Sequence, residues 1–163
     1  MFHPELNLLA QLAAFGVDDT RDGTYISLKN VHRAFIVVCI GQGADATAHT
    51  VTLKQATGGA GTTTGTAEKA LGTVNVYYNE TTWLASNLLT AGTAAVGAYT
   101  FGADQSRGKV LVFDIVPERD MDVANGFDCI SIDFSDLGAA NCGGAFAILL
   151  PPRYAPLATV YSD

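Results

Sequence analysis

The stretch from Arg33 to Gly41 constrains the fold more than any other part of the chain. It reads R-A-F-I-V-V-C-I-G, with an unbroken apolar run from Phe35 to Ile40. Side chains alternate between the two faces of a strand, so a run without polar interruption predicts a strand covered on both faces. A helix could carry the same run. Here Ile36, Val37, Val38 and Ile40 are β-branched and glycines flank Gln42, and both features favour a central strand. The rest of the chain is expected to sandwich it.

Other segments supply candidate partners. Tyr25 to Lys29 alternates, with Ile26 and Leu28 on one face, and Thr50 to Gln55 turns Val51 and Leu53 inward. Val74 to Tyr78 is a short strand with two adjacent tyrosines. Lys109 to Val116 is a second near-continuous apolar run that sets Leu111, Phe113 and Ile115 opposite Val110, Val112 and Asp114; Pro117 ends it. Phe127 to Phe134 places Ile130, Ile132 and Phe134 opposite Ser131 and Asp133. Ala145 to Leu150 makes a last buried strand, stopped by Pro151 and Pro152. Weaker strands are expected around Trp83 to Leu89 and Val96 to Phe101, and the Gly- and Thr-rich residues 56–73 predict a long exposed loop.

Residues 4–15 read differently. Pro4 suits a first helical position, Glu5 complements a helix N-terminus, and Gly16 can take the left-handed stop. Leu6, Leu9, Ala10 and Ala13 share one helical face, and Leu8, Leu12 and Phe15 line the next. The spacing predicts a short helix whose broad apolar arc must dock on its own domain or on a neighbour. The fold expected is therefore all-β: an antiparallel β-sandwich, jelly-roll-like, with one short N-terminal helix. A single domain spans 1–163, with a helical arm and turn at 1–24 and an extended tail at 153–163.

At 163 residues such a domain removes roughly 70% of its unfolded surface from water and needs no metal or disulfide to hold a core. The formal charge is −7, and the nine basic residues are scattered. Phosphate binding needs a basic face, so nucleic acid is not an expected partner. No apolar run approaches the ~18 residues of a membrane span, and F-H-P-E-L-N lacks the basic start of a signal peptide. A soluble protein that is not exported by the standard route is expected. Cys39, Cys129 and Cys142 lie in apolar or Gly-rich runs without C-x-x-C spacing, and they read as small buried residues in a reducing compartment.

Few residues suggest chemistry. Gly41-Gln-Gly-Ala-Asp-Ala matches a dinucleotide-binding pattern, but the chain returns to strand periodicity where a helix would have to follow. Asp18 to Gly23 resembles the start of a calcium loop, yet Lys29 stands where a bidentate Glu is required. His3, His32 and His49 lack metal-ligand spacing, and no nucleophile elbow occurs. The carboxylates at Asp18, Asp19 and Asp22, at Glu118, Asp120 and Asp122, and at Asp133 and Asp136 read as solvated turns. No catalytic residue, cofactor or metal is expected.

Several segments carry a resemblance: F-H-P-E-L-N-L-L-A-Q-L at 2–12, I-S-L-K-N-V-H-R-A-F-I-V-V-C-I-G-Q-G at 26–43, and T-L-K-Q-A at 52–56. To these are added K-A-L-G at 69–72, F-D-C-I at 127–130 and P-R-Y at 152–154. In them the chain resembles the head decoration, or cement, proteins of tailed bacteriophages. The resemblance implies a virion structural protein, made in the host cytoplasm and bound to the outer surface of the major capsid protein shell. It also implies a homo-oligomer, dimer or trimer, that staples neighbouring capsomers. Contacts of this kind favour aromatic and Arg anchors, here Phe2, Phe15, Tyr77, Tyr78, Trp83, Arg153 and Tyr154; Leu6, Leu9 and Leu12 join them as surplus apolar surface. A carbohydrate-binding module of a phage tail or fibre, stacking sugars on Trp83, Tyr77 and Tyr78, is the alternative. A small β-sandwich hydrolase is a third.

Overall fold

The structure, a computed structural model, describes residues 9–17, 21–42, 48–79, 88–102, 107–138 and 141–150. Among these the strands run in chain order as β1 (Leu9–Val17), β2 (Arg21–Asp22), β3 (Ile26–Ser27), β4 (Arg33–Gln42), β5 (His49–Ala56) and β6 (Lys69–Ala70). They continue as β7 (Val74–Asn79), β8 (Thr90–Ala94), β9 (Ala98–Phe101), β10 (Arg107–Ile115), β11 (Cys129–Phe134) and β12 (Cys142–Leu150). One helical turn, α1 (Pro117–Asp120), follows β10, with Pro117 at its start, where a missing N–H is harmless.

The strands form two antiparallel sheets. The first has the order β1-β12-β4-β10-β7-β8; the second has β2-β11-β5-β6, with β3 also on β11 and β9 also on β5. The apolar run of β4 therefore lies inside the first sheet, between β12 and β10, as its composition predicts.

Alternation in the sequence becomes the core. Ala34, Ile36, Val38 and Ile40 of β4 are at most 1% exposed, as are Leu111, Phe113 and Ile115 of β10. They belong to one apolar cluster with Val51 and Leu53 of β5 and Ile130, Ile132 and Phe134 of β11. Each large side chain so buried contributes about 1.5–3 kcal/mol relative to exposure.

Two expectations are corrected here. The first concerns residues 4–15: from Leu9 to Val17 the chain is a strand, paired with β12, and residues 1–8 lie outside the described residues. Leu9 and Gln11 face outward while Ala10 and Leu12 are buried, but the register slips between Gln11 and Ala13 and again between Ala13 and Gly16. The slip leaves Leu12 and Ala13 both buried. Leu, Ala and Gln favour helix, but the edge of β12 offers a ladder of backbone partners that a helix could not use, and tertiary pairing overrides propensity.

The second correction concerns β4. One face is fully buried; on the other, Phe35, Val37 and Cys39 are only half-buried, so the chain described covers β4 on one side alone. The segment from Thr57 to Glu68 is irregular, as its glycines predict, but it is not merely a solvated loop. It closes over Tyr25, whose N–H donates to Thr62 O at 2.8 Å and whose carbonyl accepts from Gly61 N at 2.8 Å.

Candidate interaction site

Residues paired across antiparallel strands share a face, so register alone maps the uncovered side of the first sheet. Phe35 lies opposite Ile148, and Val37 opposite Phe146, on β12. On the other flank Val37 lies opposite Val112, and Cys39 opposite Val110, on β10. Val112 in turn lies opposite Tyr77 of β7, and Ile148 opposite Leu9 of β1. These side chains make an apolar sheet face five strands wide. Leu9 is 49% exposed and Leu150 37%, and the others are half-buried. Toward the far end of β4 the face narrows to small residues, with Gly41 opposite Gly108 and Cys39 opposite Gly144.

One ion pair interrupts the face. Arg33 donates Nε to Asp114 Oδ1 and Nη2 to Asp114 Oδ2, both at 2.6 Å, and its guanidinium carbon lies 4.8 Å from the centre of the Phe35 ring. The charges neutralise each other within the face, leaving it without net charge.

A second concavity lies where β4 begins and β10 ends. This cleft has a volume of about 510 Å³. Leu28, Val31, Pro117 and Val123 give it an apolar lining, and Lys29, His32, Glu118 and Asp128 supply its polar groups. Residues 28–32 and 117–128 meet there although almost ninety residues separate them. His32 N donates to Leu150 O at 2.8 Å, so β12 leaves the sheet beside the cleft.

The remaining polar clusters have structural partners. Asp120 accepts from Val116 N at 2.8 Å and from Arg119, and Asp122 accepts from Asn125 and Lys69, which together hold its carboxyl below the usual range, Lys69 having the larger effect. Asp136 accepts from Gly138 N. The imidazole of His49 is fully buried with Nδ1 3.1 Å from Asp136 O and Nε2 3.0 Å from Asn141 Nδ2. A carbonyl only accepts, so Nδ1 carries the proton and Nε2 accepts from the amide. Sequence reasoning missed Lys109, which is 1% exposed on the inward side of β10 and donates to Gly102 O. Nothing in its alternation with Leu111 distinguishes it from a surface lysine.

Among the described residues no group of three or more His, Cys, Asp or Glu is placed to hold a metal ion. All three cysteines are free, but only Cys129 is buried as expected; Cys39 is half-buried, its thiol pushed up by burial, and Cys142 is exposed.

Of the residues singled out as interface anchors, Leu9 and Tyr77 lie on the outward face. Leu12 is 1% exposed and belongs to the core. Tyr78 turns inward, its ring 5.3 Å from that of Tyr99. Phe15 lies on β1, while Phe2, Leu6, Trp83, Arg153 and Tyr154 lie outside the described residues. The sequence named none of Phe35, Val37, Val112, Phe146 and Ile148 as anchors, although their doubly apolar runs were the available signal. Among known proteins, no family model, no curated protein and no solved structure matches this chain.

Proposed function

We propose that this chain is a non-enzymatic structural protein of a tailed-phage head. In this reading it is a decoration protein that binds the outer surface of the major capsid protein shell as a homo-oligomer and ties neighbouring capsomers together. The observation that carries the reading is the outward face of the first sheet. A contiguous apolar surface on a rigid double sheet marks a protein-binding surface rather than a solvated one. The strands are about 4.8 Å apart and rise about 3.4 Å per residue, so the apolar part of the face, five strands wide and about five residues long, is about 24 by 17 Å, roughly half of one side of a standard protein interface. The segments that resemble cement proteins include β4, the strand at the centre of that face.

The jelly-roll description belongs to the same proposal. Its support is the connectivity: the chain passes from one sheet to the other at β1–β2, β3–β4, β4–β5, β6–β7, β8–β9, β9–β10, β10–β11 and β11–β12. Apart from the consecutive pairs β5–β6 and β7–β8, neighbouring strands of one sheet are thus non-consecutive in sequence, as in jelly rolls.

The test is co-sedimentation of the purified protein with expanded phage shells that lack it. Saturable pelleting at a fixed ratio to the major capsid protein is expected. Failure to pellet, or binding that tracks an added glycan instead, would contradict the proposal.

A further inference from the structure

β8 is the last strand of the first sheet, with β7 on one side and no described strand on the other. Such an edge offers unpaired backbone groups to another chain, and proteins normally blunt it with charge, bends or brevity. Most edges here follow that rule. β2 and β6 are two residues long and carry Arg21, Asp22 and Lys69, and β1 is bent by two register slips. β8 has no such device: Thr90 to Ala94 are all small, and the sequence is uncharged from Thr81 to Ala103. β9, four residues long, is uncharged too, but of the two only β8 has an exposed large apolar side chain beyond each end.

Those two side chains identify the partner. Leu88 at 80% and Val96 at 61% are the most exposed large hydrophobic residues described, and each stands four positions from Gly92. Antiparallel pairing of β8 with a second β8 about Gly92 sets Thr90 across from Ala94 and Ala91 across from Thr93. It also brings Leu88 of one copy to Val96 of the other, and no like charges meet in that register. We infer that β8 pairs with β8 of a second copy of this chain, joining six strands from each copy across a two-fold axis at Gly92. An axis that relates neighbouring antiparallel strands stands perpendicular to the sheet, so both outward faces lie on the same side. Here the inference rests on the shell-binding reading above and deepens it: one apolar face covers about half of one side of a standard interface, and two together cover a whole side.

Association is measured on the full chain alone, without shells, so its failure is distinguishable from a failure to bind capsids. Sedimentation equilibrium across a dilution series is expected to show monomers and dimers in exchange, because a five-residue edge, about 17 Å long, is a short contact. Ala91→Lys with Thr93→Lys sets like charges across from one another twice, and is expected to weaken the dimer about ten-fold. Ala91→Lys with Thr93→Glu sets opposite charges there and is expected to keep it. Both positions are exposed, so the two double variants should share one melting temperature at concentrations where they are monomers. Monomers at every concentration of the unmodified protein overturn the inference, and so does a trimer. So do double variants that associate alike, whether both lose the dimer or both keep it, since only pairing about Gly92 sets position 91 across from position 93.

Discussion

Asp114 is almost completely buried on a face otherwise lined by Val37, Val112 and Phe35, and both of its carboxylate oxygens are held by Arg33 at 2.6 Å. The two residues sit on neighbouring strands, and the pair fixes the start of β4 to the end of β10. The Arg33 side chain is 40% exposed, so solvent screens part of the attraction, whereas the carboxylate at 4% has little other access to water.

Removing the arginine therefore does more harm than its own exposure suggests. Arg33→Ala leaves a buried carboxylate without its fork of donors and is expected to lower stability by about 2 kcal/mol. Arg33→Lys keeps the charge but not the two-pronged geometry, and should recover only part of the loss. Urea denaturation of the two variants checks this; equal midpoints for Arg33→Ala and the unmodified protein would contradict it.

The strap over Tyr25 makes a packing prediction. A Cβ on Gly65 would lie 2.5 Å from Ala56 Cβ and 2.8 Å from Tyr25 Cζ. Gly65→Ala must displace the segment or the ring, and overpacking of this kind destabilises by about 1–3 kcal/mol. Gly61, where an added Cβ meets nothing within 4 Å but φ is +81°, is the contrast. Gly61→Ala strains only the backbone. The tyrosine near-ultraviolet signal should change for Gly65→Ala and stay unchanged for Gly61→Ala.

Beneath the same strap lies a pH-dependent pair. Burial, reinforced by Asp22 and Glu68, holds the Asp133 carboxyl above its usual range despite the ion pair with Lys54, and the hydrogen bond to Asp133 holds the Lys54 ammonium above its own. A carboxyl raised in the folded state binds its proton more readily there than in the unfolded chain, where its value is about 3.9. Its contribution to stability therefore grows as pH falls through the folded value toward the unfolded one. The Lys54 contribution runs in the same direction with pH; it is present at neutral pH and lost as pH rises through its raised value. Lys54→Met removes the cation and leaves the carboxylates facing one another. Its melting temperature should fall below that of the unmodified protein at neutral pH and above, and the gap should narrow as pH is lowered, because the raised Asp133 carboxyl takes up a proton more readily than an ordinary one. A gap that widens on acidification would contradict the assignment.

The strands that were legible are those whose apolar period is intact. Val51 and Leu53, Ile130 and Ile132, and Leu111 and Phe113 all face the core as their alternation predicts. Residues 9–17 were not legible as a strand because the register slips around Leu12 and Ala13 break the period of two and leave a spacing that imitates a helix. β8 carries no signal at all, since Thr90, Ala91, Gly92 and Thr93 present only small side chains at an edge. The outward face was half legible. An apolar residue looks the same in a sequence whether its cover comes from its own chain or from a partner, so Phe35 and Val37 announced a buried strand without saying what buries it. The cleft was invisible because only the fold brings Val31 to Pro117 and Val123.

The same logic separates core from interface by mutation. Ile36 is fully buried and Val37, its neighbour, is half-buried on the outward face. Ile36→Ala is expected to lower stability by about 2–5 kcal/mol. Val37→Lys should change it far less, because the lysine stem can lie along the apolar face while its ammonium reaches water. Thermal denaturation of the two variants distinguishes them, and similar losses would mean that the second face is as enclosed as the first.

The most direct measurement of the central claim compares shell binding by the unmodified protein, Val37→Lys and Val112→Lys with matched melting temperatures. The account predicts that the unmodified protein pellets with shells lacking it and that both variants stay in the supernatant, since each places a charge in the middle of the apolar contact. Pelleting of all three alike, with folding intact, would contradict the assignment of this sheet face as the surface that joins the protein to the capsid.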